Sequence, residues 1–137
     1  MDSLSQARRS ANMAAIRSKD SKPELLVRKL AHSLGYRFRL HRKTLPGKPD
    51  LVFVSHRKII FVHGCFWHQH PEPECLDARL PKSNTAYWLP KLTRNMARDS
   101  GNKATLAQLG WRVLVIWECE TKATACLKEN LISFLRD

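Results

Sequence analysis

Leu51-Val52-Phe53-Val54-Ser55-His56-Arg57-Lys58-Ile59-Ile60-Phe61-Val62 is the stretch that decides the fold. It holds two short runs of mostly apolar residues, 51–54 and 58–62, joined by the polar triplet Ser55-His56-Arg57. Runs this short, rich in β-branched and aromatic residues and split by a turn, suit strands better than helices. They predict a hairpin at the centre of the molecule.

Working toward the N-terminus, Leu45-Pro46-Gly47-Lys48-Pro49 is a turn, and Tyr36-Arg37-Phe38-Arg39-Leu40 alternates apolar and basic residues as a half-buried strand would. Before that, Ser21-Lys22-Pro23-Glu24 opens a helix. Ser21 suits the cap, and Glu24 sits at the reciprocal capping-box position. Leu25, Leu26, Leu30 and Leu34 follow at helical spacing, and Gly35 ends the element. Toward the C-terminus, residues 64–81 form a loop rich in His, Pro and Cys. A long helix is predicted over 85–109 with Gly110 closing it, a buried strand over 111–117 and an amphipathic helix over 124–135. Helix, three strands, helix, strand, helix is the order of an α/β protein, a three-layer-like sandwich with a central mixed sheet between helices. Trp88, Trp111 and Trp117 are assigned to its core. Residues 1–20 read as a basic arm carrying a short apolar set, Met13 to Ile16, and 21–137 as one domain.

Hydrophobic residues make up 43% of the 137, too many for a disordered chain, and no apolar run is long enough to span a membrane. Met1 to Ser10 lacks the apolar segment of a signal peptide, so the expectation is a cytoplasmic protein, in the bacterial cytosol or nucleoid. Net charge is +12, and 12 of the 24 basic residues precede Pro49, against only Asp2, Asp20 and Glu24. Charge concentrated in this way calls for a polyanion. The four cysteines, Cys65, Cys75, Cys119 and Cys126, have histidines between the first two, which favours metal over disulfides in a reducing compartment.

Asp50 stands at the start of the second strand, and Phe61-Val62-His63 ends the third. Across a hairpin these positions meet at one sheet edge, where a carboxylate beside a backbone carbonyl and an imidazole could take Mg²⁺. Pro49-Asp50 followed by Phe61-Val62-His63 resembles the PD-(D/E)xK nuclease core, with Phe-x-His in place of acid-x-Lys. That substitution, together with Arg9-Ser10-Ala11-Asn12-Met13, Leu45 to Asp50, His63-Gly64-Cys65-Phe66-Trp67-His68, Tyr87-Trp88, Lys91, Asn95, Arg98-Asp99, Leu109 to Val113 and Trp117-Glu118-Cys119, resembles the very-short-patch-repair (Vsr) endonucleases over roughly residues 8 to 120.

The resemblance implies a restriction-endonuclease-like core that nicks one strand 5′ to the thymine of a T·G mismatch arising from 5-methylcytosine deamination. Asp50 and the Val62 carbonyl would hold one or two Mg²⁺ ions. His68 would be the general base and His63 would orient water or steady the phosphate. Asp99 would be an outer partner. Glu24 is either that or only a helix cap. Cys65, His70, Cys75 and Cys119 would hold one structural Zn²⁺, with Pro71-Glu72-Pro73-Glu74 a small insertion relative to the family. Cys126 falls outside the set. Phe66, Trp67 and Met13 would intercalate, and Arg8, Arg9, Arg17, Lys82, Lys91, Asn95 and Arg98, together with Arg94, would contact the double-stranded DNA. On sequence alone Phe66 and Trp67 could equally cover the zinc site. The implied setting is a monomer off the membrane, coupled to a cytosine-5 DNA methyltransferase, a mismatch-repair factor and a DNA polymerase. Two other readings stand beside it: a site-specific nickase without mismatch dependence, and a zinc-stabilised DNA-binding module without turnover.

Overall fold

The computed structural model describes residues 21–80 and 82–136. The basic arm, with Arg8, Arg9, Met13 and Arg17, lies outside the described residues.

Helix α1 spans Lys22–Ser33. Ser21 caps it in extended backbone, its side chain accepting from the Glu24 N–H at 3.4 Å, and Pro23 occupies the first turn, where a missing N–H costs nothing. Gly35 (φ +90°) and Gly110 (φ +91°) sit in the left-handed region just past their helices, as their positions in the sequence suggested. Strand β1 is Arg39–Leu40, β2 is Leu51–Phe53 and β3 is Lys58–His63. The turn between β2 and β3 is a single 3₁₀ turn, Val54–His56, closed by Arg57 at φ +58°. Helix α2 is Thr85–Gln108, β4 is Arg112–Trp117 and helix α3 is Thr124–Arg136.

The first strand is shorter than the predicted 36–40. Tyr36 and Phe38 turn their rings edge-on to Phe53, with centroids 6.4 and 5.7 Å away, so the alternating side chains pack while only 39–40 enters the ladder.

The sheet order is β1-β2-β3-β4. The first two pairings are antiparallel, and β3 and β4 run parallel. Helix α2 lies in the crossover that a parallel pair requires. Alternation along the strands divides the core into two layers. On one face Leu51, Phe53, Ile60 and Ile116 pack with Val27 and Ala31 of α1 and with Leu127, Leu131 and Leu135 of α3. On the other, Val52, Ile59 and Phe61 pack with Leu106 of α2 and with Trp111. The central strands are therefore covered on both faces, which is why they carry almost no polar residues.

Trp88 and Trp111 are buried, as expected, but Trp117 is half-buried and its indole stacks on the His70 ring at 4.5 Å. Lys58 is buried at the start of β3, where its Nζ donates to the Phe134 and Leu135 carbonyls at 2.7 and 3.0 Å. It thereby satisfies carbonyls at the end of α3 and meets the negative end of that helix. Among the described residues no helix is long and apolar enough to cross a membrane.

Candidate active site and metal centre

The hairpin register pairs Leu51 with Ile60, which puts Asp50 beside the end of β3. Its Oδ2 accepts from the Val62 N–H at 2.6 Å. A cleft of about 640 Å³ opens there, lined by all five residues expected to be catalytic (Glu24, Asp50, His63, His68 and Asp99) and by Val62.

One wall is acidic. The Glu24 backbone is held by the Ser21 cap, but its carboxylate turns into the cleft, where Oε2 meets Arg28 and the His41 Nε2, the latter at 3.0 Å. The capping-box role therefore fails to account for the side chain. His41 also faces Asp50, Nδ1 to Oδ1 at 3.8 Å. Burial, and then the hydrogen bond to Glu24, push the Asp50 carboxyl up to about 8, against the opposing pull of the Val62 amide. Two acids and an imidazole whose ligand atoms lie within 4.8 Å of one another make a donor set that a divalent cation fits, and a cation would relieve the cost of ionising Asp50 there.

The other wall is a histidine stack. The His63 and His68 rings lie face to face, with centroids 3.8 Å apart and planes 7° from parallel. His63 is buried, and burial followed by the neighbouring His68 lowers its pKa to about 3, so it is neutral. His68 Nδ1 meets Asp99 Oδ2 at 2.5 Å. With Nδ1–H donated to the carboxylate, Nε2 carries the lone pair, the arrangement of an oriented general base. Asp99, which in sequence is an unremarkable charge on an exposed helix, is drawn in by this contact.

Beyond the cleft, Cys65, His70, Cys75 and Cys119 bring one ligand atom each to within 4.8 Å of the others. His70 Nδ1 is 3.4 Å from Cys119 Sγ and 3.9 Å from Cys65 Sγ. A tetrahedral edge between sulfur and nitrogen on zinc is about 3.6 Å, so the set fits a closed four-ligand ion. Burial raises the Cys65 and Cys119 thiols, so without a cation beside them they stay protonated. Trp117 joins the two centres, stacked on His70 and edge-on to His63 at 5.3 Å.

The expected DNA contacts divide. Lys82 and Arg98 are exposed on the surface. Lys91 is half-buried, its Nζ above the Trp67 and Tyr87 rings at 5.4 and 5.5 Å. Asn95 is buried, and its Nδ2 donates to the Trp67 carbonyl at 3.2 Å, so it holds the loop from within. Trp67 is likewise buried, in a cluster with Trp88 and Leu92, and Phe66 is half-buried against it. Nothing in the amino-acid pattern singles out His41, a lone histidine two residues beyond an arginine of the edge strand.

An acidic wall whose donor set a divalent cation fits, facing an oriented imidazole on a basic protein, suits hydrolysis of a phosphodiester. Comparison with known proteins agrees. The family model described as DNA mismatch endonuclease Vsr matches residues 1–74. The chain is 52% identical over 134 residues to the type II nicking enzyme V.XorIIP of Xanthomonas oryzae pv. oryzae, a match covering 98% of this chain and 96% of that protein. It is 42% identical over 136 residues to the type II nicking enzyme V.NmeAIP of Neisseria meningitidis, covering 99% and 95%. It is 38% identical over 128 residues to the DNA mismatch endonuclease Vsr of Escherichia coli, covering 93% and 80%.

Proposed function

From the premise that this chain belongs to the DNA mismatch endonuclease Vsr family, and so is a DNA endonuclease, we propose that it nicks one strand of a duplex 5′ to the thymine of a T·G mismatch, leaving a 5′-phosphate. The observation that carries the chemistry is the His68–Asp99 pair stacked on His63 in the cleft that also holds Asp50. Asp50 and the main-chain carbonyl of Val62 would hold one or two Mg²⁺ ions, whose chemistry is to offset charge on the nonbridging and leaving oxygens. His68 Nε2 takes the proton of the attacking water. Asp99 holds the ring in the needed tautomer and steadies the imidazolium that forms. His63, neutral and packed on His68, orients water toward phosphorus. Cys65, His70, Cys75 and Cys119 would hold one structural Zn²⁺ and so pin the 64–70 segment, from which both His68 and Trp67 project.

On the DNA side, Phe66 is the better placed of the two aromatics for wedging, since Trp67 would have to leave its cluster with Trp88. Lys82, Lys91 and Arg98, with the arm's Arg8, Arg9, Arg17 and Met13, complete the proposed interface. A wobble pair costs less to unstack than a matched pair, which is the physical basis of mismatch choice. The test is a labelled duplex carrying a single T·G pair, set in several cytosine-methyltransferase contexts and compared with its T·A counterpart in Mg²⁺. A cut at the thymine of the mismatch alone supports the proposal. Equal cutting of both duplexes supports the second reading, a nickase indifferent to pairing; two relatives carry the name type II nicking enzyme, which agrees with single-strand cutting under either reading.

A further inference from the structure

His41 has no part in the mechanism above, yet it occupies the centre of the acidic wall. It follows β1 directly in left-handed backbone (φ +46°), an uncommon conformation for a residue other than glycine. Its backbone N–H donates to the Asp50 carbonyl at 3.4 Å, so the two residues are tied across the end of the β1–β2 ladder. The ring spans two carboxylates. Nε2 lies 3.0 Å from Glu24 Oε2, a normal hydrogen bond, whereas Nδ1 lies 3.8 Å from Asp50 Oδ1, too long for one. Arg28 also comes within 3.0 Å of Nε2. The contact to the Glu24 carboxylate, which accepts, is met by placing the ring hydrogen on Nε2; the Arg28 guanidinium, which only donates, then has Glu24 Oε2 as its acceptor as well.

With its hydrogen on Nε2, the ring turns the Nδ1 lone pair toward Asp50. Two ligand atoms each about 2.1 Å from one ion stand roughly 3.0 to 3.6 Å apart, so a shift of a few tenths of an ångström closes the observed spacing onto a cation. A carboxylate that holds the far N–H of a metal-bound imidazole is a recurrent arrangement around metal ions.

We propose that His41 is a direct ligand of the cleft's divalent cation through Nδ1, sharing the ion with Asp50 while Glu24 orients the ring, so that the site takes Mn²⁺ in preference to Mg²⁺. Mg²⁺ favours all-oxygen surroundings, whereas later divalent ions accept imidazole readily. This inference rests on the Asp50-centred reading of the site. It assigns Glu24 to a positioning role.

The test uses the full-length, zinc-loaded protein and follows free Mn²⁺ by electron paramagnetic resonance during titration, with Mg²⁺ as competitor. Mn²⁺ is chosen because it has little affinity for the thiolate centre. His41→Gln is expected to weaken Mn²⁺ binding at least about tenfold while changing Mg²⁺ affinity by less than about threefold. Asp50→Ala is expected to abolish both. If His41→Gln binds Mn²⁺ as the parent does while Asp50→Ala does not, His41 is no ligand and the nuclease site stands. If Asp50→Ala also binds as the parent does, the Asp50-centred reading itself falls. Should His41→Gln fail to fold, pulsed resonance on the parent protein decides: ¹⁴N coupling to bound Mn²⁺ is expected, and its absence overturns the proposal.

Discussion

Replacing Asp50 by asparagine should make the metal-free protein more stable while removing its activity. Asparagine keeps an oxygen to accept the Val62 N–H, so the 2.6 Å contact that ties the two strands survives. What disappears is a carboxyl that holds its proton until about pH 8 in the fold, against 3.8 when the chain is free. Such a group favours the folded state most below pH 3.8. It then costs stability at about 1.4 kcal/mol per pH unit as pH rises toward 8, because the unfolded chain releases the proton first.

The ceiling at pH 8 is roughly 5 to 6 kcal/mol. The Asp50 side chain keeps 18% of its surface open to the cleft, so water and Arg28 screen part of this. A gain of about 2 to 4 kcal/mol at pH 8 is the expected result. His63 titrates in the opposite sense, its lowered pKa costing stability as pH falls, but it is present in both proteins and cancels in the difference. The assay is urea denaturation of both proteins, metal-free in the cleft but zinc-loaded, at pH 5.5, 7 and 8. The advantage of Asp50→Asn should widen by roughly 2 to 3 kcal/mol across that range, and Mn²⁺ should stabilise only the parent. A difference that stays flat with pH would refute the placement of a buried, protonated carboxyl in this cleft.

Asp99→Asn should lower the nicking rate by about 10² and His68→Ala by about 10² to 10⁴, with duplex affinity within a few-fold of the parent in gel-shift assays. Substituting a residue of the proposed zinc set, Cys119→Ser, should release close to one zinc per chain in a chromogenic chelator assay and lower the melting temperature, because Cys119 follows β4 whereas Cys65, His70 and Cys75 lie in one loop, so that an ion bound by all four would cross-link distant parts of the chain. Lys58→Met should cost about 1 to 3 kcal/mol in denaturant titration by leaving the last carbonyls of α3 without their donor, while the nicking rate at low temperature stays unchanged.

Strands β2 to β4 were legible because sheets buried on both faces demand unbroken apolar runs, and the helix ends because Ser21, Gly35 and Gly110 satisfy or terminate backbone in ways few residues can. The extent of β1 was not, since Tyr36 and Phe38 show the period of a strand although only two residues pair. In the cleft, Asp50 and His63 follow from hairpin geometry and the family's motif. His41 was missed because its importance comes from a left-handed backbone and from partners seventeen residues before it and nine after. The packing roles of Asn95 and Trp67 were not legible beside the DNA contacts that the family's motif implies for them, since a polar side chain in a helix can serve a loop carbonyl and an aromatic beside a histidine loop can be its floor.

The central claim is that the cleft around Asp50 hydrolyses DNA and does not merely bind it. The most direct measurement pairs binding and cutting of one T·G duplex in Mg²⁺ by the parent and by Asp50→Ala. Retained binding with no detectable nick in the variant is the predicted result. Cutting by Asp50→Ala at the parent's rate, or no cutting by the zinc-loaded parent on a duplex it binds, would contradict it.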